Sequence, residues 1–104
     1  MQPNVSPDEL RALVAAGKPV AIVDVRDAEE LDEGFIPGSI HIPNFQIEHY
    51  APMVLPDKAA PIILLCATAH RAVGAAEVLR RLGYTDVRVL AGGFEAWNRE
   101  TKNS

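Results

Sequence analysis

Short, nearly continuous apolar runs recur along the chain and are separated by segments with helical periodicity. The runs at residues 20–25 and 62–65 are typical of strands that are buried on both faces of a parallel sheet, and the shorter segments at 39–42 and 87–90 are predicted to be two further strands. Val5 is predicted to open a further, short edge strand. Five strands that alternate with helices predict an α/β fold, in which a central parallel five-stranded sheet carries helices on both faces.

The helices between these runs carry recognisable start and stop signals. Ser6 and Glu9 fit a capping box around Pro7, and Gly17 is a suitable stop for the helix that follows. Asn44 is predicted to cap a brief helix through residue 50, and residues 53–61 are predicted to form a surface connection. Behind the loop at 66–71, apolar residues return at spacings of three and four: Ala72, Ala75, Ala76, Leu79 and Leu82. A last helix is predicted to follow Gly92-Gly93, with Phe94 and Trp97 packed onto the sheet.

Length and composition are those of one globular domain. The 104 residues are 48% hydrophobic and 23% charged, which suits a domain with a single hydrophobic core and no disulfide or metal cross-links. We predict one domain over residues 1–104 with a core at about 5–98. No internal repeat or linker divides the chain.

Charge and cysteine content narrow the class of protein. A net charge of −4 without a basic cluster argues against nucleic acid as a partner. One cysteine rules out an intramolecular disulfide and fits a reducing compartment. No apolar run approaches the ~18 residues that span a bilayer, and residues 1–4 lack the features of a signal peptide. We therefore expect a cytoplasmic protein that does not associate with membranes.

The position of Cys66 in the chain indicates a functional thiol. It directly follows the apolar run 62–65 and precedes a short polar loop that leads into a helix. The thiol is thus predicted to lie at the carboxyl end of a central strand, where open α/β sheets bind ligands. The backbone N–H groups at a helix N-terminus favour anions, including a thiolate. Free cysteines are commonly inert core residues, but the position of Cys66 favours the reactive interpretation.

An acidic run follows the second predicted strand. It contains Asp27, Glu29, Glu30, Asp32 and Glu33. Such a run is most often a solvated face, and here it fits a short helix whose acids lie near the positive end of the dipole. Arg26 and Glu30 are four residues apart, so we expect their side chains to pair.

Three segments resemble the rhodanese-like sulfurtransferases. The loop Cys66-Ala67-Thr68-Ala69-His70-Arg71 is similar to the six-residue active-site loop of that family. The segment with Asp24, Arg26, Glu30 and residues 34–43 resembles the family signature after the second strand, and residues 90–97 resemble its C-terminal signature. The resemblance extends over about residues 5–97. Ala69 stands where the family usually has glycine, Phe35 where histidine is usual, and His41 where asparagine is common.

The resemblance implies a sulfur transfer reaction that needs no cofactor. Cys66 would be the nucleophile that accepts the outer sulfur of a small donor as a persulfide and passes it to a thiol or to cyanide. The N–H groups of residues 68–71 would stabilise the persulfide anion. The acceptor would be a small thiol, or a protein thiol such as a thioredoxin-like partner. The loop differs from that of mercaptopyruvate-specific relatives, which favours thiosulfate or another persulfide as donor.

The roles of the remaining loop residues are open at this stage. His70 and Arg71 are candidates for holding an anionic donor, and we expect no metal at His70, because no other ligand lies near it in sequence. Arg71 is equally suited to turn inward and pair with Glu30 or Asp24. The resemblance assigns a supporting role to Asp24, Arg26 and Glu30, in which Arg26 and Glu30 brace the segment beside the loop.

Two other functions compete with the sulfurtransferase reading. Cysteine phosphatases share the strand–loop–helix geometry, but five residues separate cysteine from arginine in them, whereas four separate Cys66 from Arg71. The shorter ring suits one terminal sulfur better than a phosphate. A non-catalytic sulfur carrier or partner-binding module is the third interpretation, which the replacement of glycine by Ala69 supports.

Overall fold

The structure, a computed structural model, describes the backbone of residues 4–103 and the side chains of residues 4–100. The expectation about a signal peptide concerns residues 1–4 and falls mostly outside this range. Within residues 4–103 no helix is both long and apolar enough to cross a membrane. In chain order the elements are β1 (Asn4–Val5), α1 (Pro7–Ala15), β2 (Ala21–Asp24), a 3-10 helix (Ala28–Glu33), β3 (Ile40–His41), a 3-10 turn (Asn44–Gln46), α2 (Ile47–Val54), β4 (Ile62–Leu65), α3 (His70–Arg81), β5 (Val87–Leu90) and α4 (Gly93–Asn103).

The five strands form one parallel sheet in the order β1-β5-β4-β2-β3. The predicted α/β class, the strand count and the central position of the strand before Cys66 are confirmed. In register, Leu65 lies opposite Asp24, and Asp24 lies opposite His41. The carboxyl ends of β4, β2 and β3 therefore reach the same edge of the sheet.

The core has two layers, one on each face of the sheet. Ile62 and Leu64 of β4 pack on the face that α2 and α3 cover, whereas Ile63 and Leu65 pack on the face that α1 and α4 cover. This alternation follows from the two-residue period of a strand. Helices on both faces explain why β4 has no polar position. On the second face Phe94 is buried and Trp97 packs against it as predicted.

The predicted start of α1 is confirmed in detail. The Ser6 hydroxyl accepts a hydrogen bond from the Glu9 N–H at 3.1 Å, and the Glu9 carboxylate accepts one from the Ser6 N–H at 3.0 Å. The hydrogen bond from the Ser6 backbone, more than any other contact, lowers the pKa of Glu9. The helix ends at Ala15 and is followed by Gly17, whose φ of +69° matches the predicted stop.

The segment after β3 differs from the prediction. Asn44 does not cap a helix: its N–H donates to the carbonyl of Val25, and residues 44–46 form a 3-10 turn. The helix that follows is longer than expected and runs through Pro52 to Val54, so the surface connection begins at Leu55. Its length has a packing cause, because Ile47, Ala51 and Leu55 are buried at spacings of four.

The acidic run is helical, as predicted, but as a 3-10 helix over Ala28–Glu33. Four of its acids are exposed and agree with the solvated-face interpretation: Asp27, Glu29, Asp32 and Glu33. Glu30 is partly buried and turns toward the loop at residues 66–71, where it takes part in the candidate site.

Candidate active site

Cys66 follows β4 and lies at the start of the loop, with 1% of its surface exposed. Its Sγ accepts a hydrogen bond from the backbone N–H of Ala72 at 3.4 Å. Ala72 is the third residue of α3, so this N–H is one of the first four in the helix, which have no partner within it. The helix N-terminus therefore points a backbone dipole at sulfur, which favours negative charge there.

This donor is a residue that the sequence interpretation missed. The sequence favoured the N–H groups of residues 68–71, whereas the structure records the bond from Ala72. The general rule for orphan donors extends to the third helical position and would have reached it. Ala67 is partly buried, and Thr68 and His70 are exposed.

The loop carries backbone strain at Ala69. Its φ of 147° and ψ of −21° make it the one non-glycine residue with positive φ among those that the structure describes. An alanine in this region costs roughly 1–3 kcal/mol. The replacement of the family's usual glycine by Ala69 is therefore accompanied by backbone strain. The strain is confined to the residue at which the loop turns into α3.

The N-terminus of α4 holds the first half of the loop. The N–H of Phe94 donates to the carbonyl of Cys66 at 2.8 Å, and the N–H of Glu95 donates to the carbonyl of Ala67 at 3.1 Å. Gly93 permits this approach, because a Cβ on it would lie 2.4 Å from the Cys66 carbonyl oxygen and its φ is +63°. The resemblance included this segment but did not reveal its role as a support for Cys66.

Asp24 and Arg26 form a fully buried ion pair beneath the loop, with 0% and 1% of their surfaces exposed. The Arg26 Nη2 donates to the Asp24 carboxylate at 2.8 Å, and its Nε donates to the same carboxylate at 3.0 Å. The remaining guanidinium donors reach the carbonyls of Glu30 and Gly34 at 3.2 and 2.8 Å. The guanidinium also lies 4.2 Å from the centre of the Phe94 ring. Arg26 thus fastens β2 to the 3-10 helix and to α4.

Glu30 and Arg71 form a second, more accessible pair. The two guanidinium nitrogens of Arg71 donate to the two carboxylate oxygens of Glu30 at 2.7 and 2.8 Å. Their side chains are 35% and 28% exposed for Arg71 and Glu30. The Arg71 hydrogen bonds hold the pKa of Glu30 at about 2, against an ordinary 4.5, and the same contact raises the pKa of Arg71. The fork ties the first turn of α3 to the 3-10 helix.

The expected pairing of the Arg26 and Glu30 side chains is wrong. Residues 26–30 do not form an α-helix, so the spacing of four does not bring the two side chains together; Arg26 reaches only the backbone carbonyl of Glu30. The Glu30 carboxylate bonds Arg71 and the N–H of Asp27 instead. Of the two alternatives for Arg71, the structure shows the inward one.

The other two departures from the family pattern have different surroundings. The Nε2 of His41 donates to the carbonyl of Arg26 at 2.7 Å, so this side chain steadies the backbone next to the buried pair. Phe35 is 59% exposed. No group of three or more potential metal ligands occurs among the described residues.

Comparisons with known proteins agree with this geometry. The model of the rhodanese-like domain matches residues 6–100. A thiosulfate sulfurtransferase GlpE from Pseudomonas savastanoi pv. phaseolicola is 33% identical over 90% of this chain and 85% of its own length. A human thiosulfate:glutathione sulfurtransferase is 35% identical over 91% of this chain and 92% of its own length.

Solved structures of sulfurtransferases and related proteins have folds similar to this one. The human single-domain sulfurtransferase TSTD1 has a TM-score of 0.85 at 31% identity, covering 96% of this chain and 98% of that one. A Rhodopseudomonas palustris protein of unknown function, described as a possible tyrosine phosphatase, has a TM-score of 0.87 at 27% identity, covering 96% and 82%. The chain belongs to the family of rhodanese-like domains.

Proposed function

We propose that this protein is a sulfurtransferase that moves the outer sulfur of thiosulfate to a thiol through a persulfide on Cys66. The observation that carries the proposal is the hydrogen bond from the Ala72 N–H to the Cys66 Sγ, at the point where a buried strand passes into a helix N-terminus. The names of the similar proteins, which include thiosulfate and glutathione sulfurtransferases, support the choice of donor and acceptor.

The proposed reaction has two half-reactions. The Cys66 thiolate attacks the outer sulfur of thiosulfate, the S–S bond of thiosulfate breaks, and sulfite leaves with its electron pair. The thiolate of the acceptor then attacks the outer sulfur of the Cys66 persulfide, and Cys66 leaves as a thiolate. The helix N-terminus favours the anion on Cys66 before and after each transfer.

The surroundings of Cys66 give the other residues a positioning role. Gly93 and the α4 N-terminus fix the carbonyls of Cys66 and Ala67. The Glu30–Arg71 fork fixes the other end of the loop. The exposed Thr68 and His70 are the proposed contacts for an anionic donor, and Arg71 is proposed as a brace.

A phosphatase function has less support. Phosphate binding in such a loop needs an arginine that is free to donate both nitrogens to the ligand. Here both nitrogens of Arg71 already donate to Glu30, and the loop is one residue shorter than in cysteine phosphatases. Hydrolysis of p-nitrophenyl phosphate is therefore expected to be absent.

Two finer points belong to the same proposal. A cytoplasmic location is part of the proposal, because a single free cysteine fits a reducing compartment. A protein thiol of the thioredoxin-like type is kept as an alternative acceptor to a small thiol. A carrier without turnover would share the persulfide and differ in its failure to release sulfur repeatedly.

The direct test is intact mass spectrometry after incubation with thiosulfate. The protein is expected to gain one sulfur atom, to lose it on addition of cyanide, and to release thiocyanate over many turnovers. Cys66→Ser, which removes the only thiol, is expected to show neither the mass gain nor turnover while it keeps its circular dichroism spectrum. Full activity in this variant, or no mass gain in the wild type, would overturn the proposal; a single mass gain without turnover would favour the carrier.

A further inference from the structure

A recess lies between α1 and β5. It has a volume of about 300 Å³, and it is lined by Glu9, Ala12, Leu13, Ala16, Lys18 and Arg88. We call it the α1–β5 recess. Its first four lining residues follow the three- and four-residue spacing of one helix face. At a liquid volume of ~30 Å³ per water, the recess has room for roughly ten water molecules, or for a ligand of about as many non-hydrogen atoms.

The α1–β5 recess is separate from the site of Cys66. Leu90 of β5 packs in the layer that α1 and α4 cover, and Arg88 lies two residues earlier, so it faces the same layer. Cys66 packs in the other layer, with α2 and α3. Arg88 is also aligned with Ile63 of β4, which precedes Cys66 by three residues, or about 10 Å along the strand. The recess therefore lies on the opposite face of the sheet and farther from its carboxyl edge.

Arg88 is a charged residue in a strand that is otherwise apolar. Its side chain is 32% exposed, but its Nε is buried and has no hydrogen-bond partner among the described residues. The nearest acid is Asp86, whose Oδ1 lies 3.7 Å from this Nε, which is beyond hydrogen-bond distance. Four other arginines each donate to a carbonyl or carboxylate oxygen at 2.7–2.8 Å: Arg11, Arg26, Arg71 and Arg80. Arg88 thus retains donors that an anion could use.

The other lining residues define what kind of anion fits. Lys18 is exposed and forms no ion pair with any acid in the part of the chain that the structure describes. The Glu9 carboxylate already accepts the Ser6 N–H at 3.0 Å. The lining therefore carries two cations against one acid. The remaining wall is apolar and consists of Ala12, Leu13 and Ala16. An inorganic anion would leave this wall without a contact, whereas an anion with an apolar chain would cover it.

We propose that the α1–β5 recess binds a small aliphatic monocarboxylate. The carboxylate pairs with the Arg88 guanidinium, which suits two parallel hydrogen bonds, and with the Lys18 ammonium. The aliphatic chain lies along the apolar face of α1. The inference is independent of the function proposed for Cys66, because the two sites share no residue. A ligand of this size is expected to bind in the millimolar range.

A titration of the ¹⁵N-labelled protein with sodium hexanoate tests the proposal. Chemical-shift changes are expected to centre on Ala12, Leu13, Ala16 and Arg88. Arg88→Met removes the guanidinium and keeps an unbranched side chain, so it should raise the Kd at least about tenfold. Lys18→Met removes an exposed charge and should raise the Kd roughly two- to fivefold.

Matched controls separate the recess from general effects of charge. Arg81→Met removes the same charge from an exposed position of α3 and should leave the Kd within about twofold of the wild type. Hexan-1-ol, which lacks the charge, and inorganic phosphate, which lacks the chain, should each bind more weakly than hexanoate. Equal binding of either one would overturn the proposal, as would the absence of shifts at tens of millimolar hexanoate. Shifts centred on residues 66–71 would also overturn it, because the carboxylate would then bind at the active site. If Arg88→Met does not fold, an unchanged Kd in Lys18→Met overturns the proposal and the expected rise supports it.

Discussion

Two arginine–carboxylate pairs lie next to each other beside the loop of Cys66, and they differ mainly in their access to water. Asp24 and Arg26 are 0% and 1% exposed, whereas the side chains of Glu30 and Arg71 are about one third exposed. Arg26 links the two pairs, because it also donates to the carbonyl of Glu30 at 3.2 Å.

The difference in exposure assigns the two pairs different tasks. A buried charge that loses its partner cannot be rescued by water, so the buried pair makes its surroundings rigid and intolerant of change. A partly exposed pair contributes less to stability, because solvent screens it. The buried pair belongs to the scaffold, and the exposed pair positions one end of the loop.

The largest expected effect comes from Asp24→Asn. This change keeps the shape of the side chain and leaves the buried Arg26 guanidinium without its counter-charge, so the free energy of unfolding should fall by about 3–5 kcal/mol. Urea unfolding at pH 7 measures it. Asp27→Asn, a nearby exposed acid, is the control and should stay within ~0.5 kcal/mol of the wild type. A loss below about 1 kcal/mol for Asp24→Asn would remove the contrast between the two pairs.

An intermediate effect is expected from Glu30→Gln. Because the pair is partly exposed, we expect a loss of about 1 kcal/mol at pH 7 despite the bidentate geometry. The pKa of Glu30 is about 2 in the folded protein, below its ordinary 4.5. The stabilisation is therefore complete above about pH 4.5 and is lost as the pH falls toward 2.

Unfolding of the wild type and of Glu30→Gln between pH 7 and pH 2.5 checks this expectation. The difference in free energy of unfolding between the two proteins should shrink on acidification, while both proteins lose stability from their other acids. A difference that stays constant with pH would show that the carboxylate charge of Glu30 is not what Arg71 recognises. Arg71→Ala should lower the free energy of unfolding by a similar amount at pH 7. If it instead weakens thiosulfate use and leaves stability unchanged, Arg71 contacts the substrate and is not a brace.

The contrast between the pairs also marks how far the sequence could be interpreted. Apolar runs and capping signals were enough to predict the five strands and α1, because each depends on residues close in sequence. The spacing of Arg26 and Glu30 suggested a pair, but the partner of Glu30 lies 41 residues away. Which arginine pairs with which acid depends on how the 3-10 helix meets α3, and local periodicity carries no such information.

The same limit applies to the supports of Cys66. The position of the cysteine after a buried strand predicted its place at the sheet edge. The contacts of Gly93, Phe94 and Glu95 with the loop join segments about 27 residues apart and arise only after β5 has crossed to its place beside β4. The sequence pattern was enough to locate the segment at residues 90–97. Its role in holding the loop of Cys66 depends on tertiary packing, which the pattern does not contain.

The smallest expected effect concerns Ala69, which lies between the two ends of the loop that Gly93 and Arg71 fix. Replacing it by glycine removes strain of about 1–3 kcal/mol but adds unfolded-state entropy worth about 0.4–1 kcal/mol. Ala69→Gly should therefore raise the free energy of unfolding by roughly 0.5 kcal/mol or somewhat more. Ala67→Gly, in the same loop at a residue without positive φ, is the matched control and should lower it.

The double variant Ala69→Gly/Glu30→Gln links this strain to the exposed pair. The Glu30–Arg71 pair is one candidate for the contact that holds the loop in its strained conformation. If it is, the pair should contribute less to stability once Ala69→Gly has removed the strain. The double variant should then lose less stability than the two single changes predict together, by about 0.5 kcal/mol. Additive changes in urea unfolding would mean that the strain at Ala69 is held by the α4 contacts with Cys66 and Ala67 alone. In that case both ion pairs would belong to the scaffold, and the difference between them would be one of burial only.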